Sequence, residues 1–415
     1  MKKILLVLSG ISILFFLSCS AHRSPAAVTE IEGGVSSILS YEPETGVNKF
    51  CMDLYGGQKD AAGNVLFSPF SIYTCMGMAY EGAKGATASE IQNVFHYQID
   101  EAVRHESFDG MISTINAPGK QYQLSTSNNI WVEQTMPLLT LYSDVLTTYY
   151  HADSQNMDFL NSPEASRLYI NTAVENQTAG IIKNLIPDGS VGSDTKLVLT
   201  NAIYFKADWL NQFDPNDTGM EDFYTQSGVT VTVDMMHKDL YRNIEDYYGA
   251  ASVLELPYVD NEVSMFIFLP SNGQMAVLES RMTGDNVANW LSSRIKYTVG
   301  DTLVRLTLPK FSYSFDISLT EELKQMGMPT AFSPLADLSG INGSGGLMIS
   351  DVVHKAFIEV GEIGTEAAAA TGTIIRGTSW VITEPFSIDH PFIFAIVENS
   401  TNTILFMGKV NDPTL

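Results

Sequence analysis

The sequence predicts an α+β fold in which helices pack on large mixed or antiparallel sheets. Three observations carry this. Apolar residues recur at helical spacing in the early part of the chain. β-branched and aromatic runs bounded by turn residues dominate from about residue 195. No linker, internal repeat or low-complexity block divides the chain beyond its amino-terminal stretch. With 415 residues, 45% of them hydrophobic, it is long enough to bury a sizeable core.

The amino terminus stands apart. In "MKKILLVLSGISILFFLSCSAHRS", Lys2 and Lys3 precede a mainly apolar run, Ile4 to Leu17, too short to span a bilayer comfortably. That pattern is an export signal. Phe16-Leu17-Ser18-Cys19 resembles the bacterial lipoprotein cleavage box, with Phe16 where Leu is usual. The expectation is a signal peptide over residues 1–18 and a flexible tether over 19–43, lipidated at Cys19. The protein would then be exported and held at the bacterial cell envelope, since each buried acyl methylene contributes about 0.8 kcal/mol. An incidental cysteine would instead make it a secreted protein.

The first helix is expected in "PETGVNKFCMDLYGGQ", which places Val47, Phe50 and Leu54 on one face. "SPFSIYTCMGMAYEGA" opens with an N-cap Ser68 and a first-turn Pro69, then runs apolar nearly all round, so that helix must be buried. Cys51 and Cys75 lie in these two helices and read as buried, inert thiols, because one pair is not a disulfide framework. Strands follow in "TKLVLTNAIYF", "GVTVTVDMM", "ASVLELPY", "VSMFIFLP" and "TLVRLTLPKF". A helix in "LTEELKQMG" interrupts them before "PFIFAIVEN" and "TILFMGKV" close the chain.

The charge balance of 23 basic against 47 acidic residues disfavours nucleic acid and anionic membrane as partners. No H-E-x-x-H, C-x-x-C, Walker loop or G-x-S-x-G is found, and nothing implies a metal or cofactor. "GINGSGG" reads as a surface turn. His354, within "DVVHKAFIEV", has no nucleophile paired with it by spacing and reads as a hydrogen-bonded structural group. No enzyme emerges.

One segment fits none of these elements. "GEIGTEAAAATG" holds Ala367 to Ala370, good helix formers, yet Gly364 and Gly372 bracket them and the span is too short for an isolated helix. Written as a strand, it puts Thr365, Ala367, Ala369, Thr371 and Thr373 on one face, and Glu366, Ala368, Ala370 and Gly372 on the other. The first face is uniformly small. Such a segment is suited to slipping between two existing strands, with Glu366 left towards solvent.

Over about residues 44–415 the sequence resembles the serpin family. The residues that carry the resemblance are "NVLFSPFSI", "GAKGATASEI", "LTNAIYFKADWLNQF", "LPKFSYSFDISLTEELKQMGM", "AFSPLADLSGI", "HKAFIEVGEIGTEAAAATG" and "HPFIFAIVENSTNTILFMGKVNDP", in the family's order. The resemblance implies about eight or nine helices on three β-sheets, a large central sheet and an exposed reactive-centre loop, here about 362–385. It also implies a monomeric suicide-substrate inhibitor that partners serine proteases in a covalent complex, touching a membrane only through its lipid.

Roles carry over by position. Glu362, Gly364, Thr365, Glu366, Ala367, Ala368, Ala369, Ala370 and Thr371 take the hinge, with Ile363 departing from the commoner charged neighbour. Ser68, Ser71, Asn201 and His354 resemble the shutter, the polar cluster under the central sheet. Trp209 matches the tryptophan of the breach, where the loop enters the sheet. Hinge length places the bait bond at Thr378–Ser379, suiting an elastase-like or subtilisin-like protease. Counting back from "HPF" points nearer Trp380, which would suit a chymotrypsin-like pocket, and Arg376 would suit a trypsin-like one. A non-inhibitory serpin-fold binding or structural protein is the alternative.

Overall fold

The computed structural model describes residues 43–294, 303–365 and 383–415. The export signal, Cys19 and nearly all of the tether lie outside the described residues, as do Glu366 to Thr371, Arg376, Thr378, Ser379 and Trp380.

The chain begins with α1 (Pro43–Gln58), β1 (Val65–Phe67), α2 (Pro69–Gly82), α3 (Gly85–Phe95), α4 (Glu101–Ile115) and β2 (Tyr122–Glu133). There follow α5 (Thr140–Tyr149), β3 (Asp153–Met157), α6 (Pro163–Gln177), β4 (Leu197–Asp208), β5 (Gly219–Tyr224) and β6 (Thr230–Tyr241). Next come β7 (Ile244–Tyr247), β8 (Ala251–Pro257), β9 (Val263–Pro270), α7 (Met275–Arg281), α8 (Gly284–Ser293), β10 (Leu303–Pro309) and β11 (Phe311–Ser318). The chain closes with α9 (Thr320–Met326), α10 (Ser339–Asn342), β12 (Asp351–Val360), β13 (Gly364–Thr365), β14 (Thr383–Ser387), β15 (Phe392–Glu398) and β16 (Thr403–Val410).

Three sheets result, in the orders β1-β16-β15-β9-β8-β7, β14-β10-β6-β5 and β11-β12-β13-β4-β2-β3. The described residues hold ten α-helices rather than eight or nine, and α10 is a single turn. "TLVRLTLPKF" is not one strand. It breaks at Lys310 into β10 and β11, which join different sheets.

The third sheet positions everything that follows. Its strands β4 and β12 run parallel, with Asp351 opposite Val198 and so on to Phe357 opposite Tyr204. Beyond that rung β13 lies between them, antiparallel to both. Under the sheet runs α2, whose residues are buried almost without exception, as an all-round apolar helix requires. Ser68 caps it, its side chain accepting from the Ser71 amide at 3.2 Å, with Pro69 in the first turn. Cys51 and Cys75 are buried and unpaired, and burial pushes the Cys75 thiol up to about 12.

Candidate functional site

Two regions of the third sheet gather the residues singled out by the sequence. The first is a polar cluster in an apolar interior. Asn128 of β2, Asn201 of β4 and His354 of β12 stand directly opposite one another across three strands. Below them, the start of α2 brings Ser68 and Ser71, and Ser68, Ser71, Asn201 and His354 are all fully buried. Burial at that depth demands partners, and each group has them. His354 Nε2 accepts from the Ser68 amide at 3.1 Å, and its Nδ1 meets Asn201 Oδ1. Asn128 Oδ1 accepts from Ser71 Oγ at 3.0 Å and from Asn201 Nδ2, which also donates to Ser71 Oγ. Burial lowers the His354 pKa to about 3, so the ring is neutral at physiological pH. With Nε2 accepting from an amide, the ring proton resides on Nδ1 and is donated to Asn201.

The second region is the end of the sheet where β12 turns back. Trp209 Nε1 donates to Gly361 O at 2.9 Å, its amide donates to Ile363 O at 2.7 Å, and its indole stacks on Tyr258 with centroids 4.4 Å apart. The Phe213 amide holds Glu362 O at 2.8 Å. The Glu362 carboxylate meets Lys310 Nζ at 3.0 Å and accepts from Thr218 Oγ1 at 3.0 Å. Burial pushes that carboxyl up, but the backbone, Lys310 and Thr218 hydrogen bonds outweigh it and hold it below the usual range. Ile363, where a charge is commoner in the resembling family, is buried.

These contacts fix Gly364 and Thr365 as a two-residue wedge. Gly364 lies opposite Asp208 and Thr365 opposite Ala207, while Thr365 also pairs with Val360. A Cβ on Gly364 would stand 2.0 Å from Ala207 O, so only glycine fits. Thr365 is 1% exposed and its hydroxyl bonds Tyr258 Oη at 2.6 Å. The loop expected over about 362–385 is therefore held at both ends. Glu362–Thr365 are tied into the third sheet, and Thr383–Ser387 form β14 beside β10.

The structure brings Ser68, Ser71, Asn201 and His354 together, and separately Trp209, Glu362, Gly364 and Thr365. Sequence reasoning missed Asn128, Tyr258, Thr218 and Lys310. Of these, Asn128 sits in a polar run, "STSNN", too hydrophilic to read as a buried strand. Among the described residues, no nucleophile is hydrogen-bonded to His354, whose partners are an amide and a carboxamide.

A family model for "Serpin (serine protease inhibitor)" matches residues 45–413. A serpin-like protein of Methanosarcina acetivorans is 39% identical over 91% of this chain and 88% of its own length. The structure of Serpin48 from Tenebrio molitor, described as a highly specific serpin, superposes with a TM-score of 0.79 at 32% identity, covering 92% of this chain and all of that one. Human thyroxine-binding globulin complexed with its hormone superposes with a TM-score of 0.80 at 31% identity, covering 90% and 99%. Matched along nearly all of its described length, in family model, relatives and fold alike, the chain belongs to the serpin family.

Proposed function

We propose that the chain is a single-use serine protease inhibitor and not an enzyme. The observation that carries the reading is the wedge: Gly364 and Thr365 already sit between β12 and β4, followed in sequence by a run of alanines. In this reading the protease serine oxygen attacks the carbonyl carbon of Thr378. An ester forms, the Thr378–Ser379 peptide bond breaks, and the freed Ser379 amine takes the proton. Arg376 and Trp380 are the alternative bait positions.

The released segment then lengthens β13. Continuing its register, each further loop residue advances one rung down both neighbours. Ala367 would lie between Phe205 and Ile358, Ala369 between Ile203 and Ala356, and Thr371 between Asn201 and His354. The entering side chains are small, and the one hydroxyl in that stretch arrives at the polar rung. β4 begins at Leu197 and β12 at Asp351, so the lengthened strand would run out at Ile374 to Ile375, leaving the acylated residue beyond the sheet in all three cases. Adding a central strand gains main-chain hydrogen bonds and buried area, so the uncut form is kept by a kinetic barrier. The protease is dragged along and distorted before its ester is hydrolysed.

We further propose export with a signal over 1–18, lipidation at Cys19 and a tether over 19–43 carrying a monomeric domain from about residue 44, or secretion without the lipid. The likeness to thyroxine-binding globulin favours a second reading, a non-inhibitory binding protein. The uniformly small face from Thr365 to Thr373 favours the first. Mixing the protein with elastase-like and subtilisin-like proteases should yield a covalent complex that survives SDS. Clean cleavage with no complex defeats the inhibitor reading.

A further inference from the structure

The hairpin of β5 and β6 leaves one face of the second sheet uncovered. Met220 stands opposite Asp234, Asp222 opposite Thr232 and Tyr224 opposite Thr230, so the six share one face, and all six are exposed. Phe223 and Val233, on the other face, are buried. Met220, 64% exposed, and Tyr224, 49% exposed, flank Asp222 on the open side.

That face carries charge without an internal partner. Among the described residues, neither the Asp222 nor the Asp234 carboxylate meets a cation, because the basic groups of these strands are engaged elsewhere. His237 meets Glu221 at 2.8 Å, Lys238 donates to Gln212 O at 2.7 Å and Arg305 donates to Asp239 at 3.2 Å. The face also starts beside one foot of the loop. Thr218, just before β5, donates to Glu362, and Lys310, whose amide donates to Asp234 O at 2.9 Å, meets the same carboxylate. A body engaged on the loop therefore has the Met220–Asp234 rung within reach. A second copy of the chain is a poor occupant, since its formal net charge is −24, and an anionic membrane is repelled likewise. A cationic surface fits. Its lysines and arginines can meet the two carboxylates, lay their methylene stems on Met220 and set their charge over the Tyr224 ring.

We infer that this face docks the protease that attacks the loop, and that the protease it favours carries lysines and arginines around its active-site cleft. The inference rests on the loop being protease bait, as proposed above, and adds the partner's surface chemistry to that reading. Attraction of this kind acts on the rate of encounter.

Cationic and anionic trypsins, which both accept arginine, are the probes, used with the full chain at low salt and normalised to their rates on a small arginine peptide. Attack at Arg376 is counted as complex plus nicked protein, so its rate is read whether the protease ends trapped or released. The cationic form should attack faster, and Asp222→Lys/Asp234→Lys should slow it about tenfold while leaving the anionic form no slower. Glu101→Lys/Asp144→Lys, an equal change in net charge on exposed residues of α4 and α5, should change the cationic rate far less. Should the lysines unfold the hairpin, Asp222→Asn/Asp234→Asn should give a smaller fall in the same direction. At about 1 M salt, where the Debye length is about 3 Å, the difference should vanish. Equal wild-type rates for the two trypsins, an unchanged cationic rate in the hairpin variants, or the same fall in the α4 and α5 variant overturns the inference. Nicking without a complex would defeat only the inhibitor reading. Complex formation at rates blind to Asp222 and Asp234 would defeat only this one.

Discussion

Thr365→Arg tests the wedge most directly. The side chain is 1% exposed, lies between Val360 and Ala207, and bonds the Tyr258 hydroxyl at 2.6 Å. Glu366, next in sequence, falls on the other face of the strand pattern, and Glu362 is already engaged by Lys310 and Thr218. A guanidinium placed there would be buried without a counter-charge, at a cost of about 3–5 kcal/mol. The variant escapes that cost by leaving the gap, so the uncut protein loses only the Thr365–Tyr258 bond and two rungs of pairing, about 1–2 kcal/mol. Entry of the cut loop meets the full cost. At about 1.4 kcal/mol per tenfold in rate, insertion slows on the order of 100-fold or more. Hydrolysis of the protease ester keeps its pace, and flux shifts from trapped complex to released, cleaved protein. SDS gels that quantify complex against cleaved product read this directly, and heat resistance gained on nicking reports whether the loop entered. Wild-type yields of complex from Thr365→Arg would refute the reasoning, whereas Thr365→Ser should behave as wild type.

Gly364→Ala, with a Cβ 2.0 Å from Ala207 O, should expel the wedge and speed hydrogen exchange at the Trp209 amide that bonds Ile363 O. His354 titrates near 6.5 when unfolded and about 3 when folded, so the native state resists a proton that the unfolded chain accepts. Stability should therefore fall as pH drops below about 6.5, by about 1.4 kcal/mol per unit, and level off near pH 3. Denaturant titrations across that window read the slope, which His354→Gln should flatten. Glu362 has the same proton preference, its folded carboxyl being held low. Its contribution is present above the ordinary carboxylate range and lost as pH falls through its folded value. Lys310→Ala should lower the melting temperature at pH 7 and show a shallower acid limb than wild type.

Much of this architecture was legible because the residues had to satisfy local rules as well as the fold. The N-cap serine and first-turn proline of α2, the all-apolar body that follows, and the late β-branched strands each announce themselves. β2 did not. Its middle is polar because Asn128 joins the buried cluster while Ser127 and Asn129 bond Gln177 of α6, so tertiary context overrides the strand pattern. Lys310 hid a strand break inside one continuous apolar run, since alternation cannot reveal which sheet a strand joins. The site was legible where spacing is local, as with Gly364 and Thr365. It was not where partners come from distant segments, as with Tyr258, about a hundred residues away along the chain yet in contact through a single hydroxyl.

The pairing of β4 with β12, intact from Phe357 to Asp351 but split above by two residues, has the form of a crack held open at its tip. Such a crack advances rung by rung, and only the bonds at the tip bear load at any moment. If the chain works as proposed, substitutions beside Tyr204 and Phe357 should thus set how soon the trap springs, and those near Val198 and Asp351 how firmly it stays sprung.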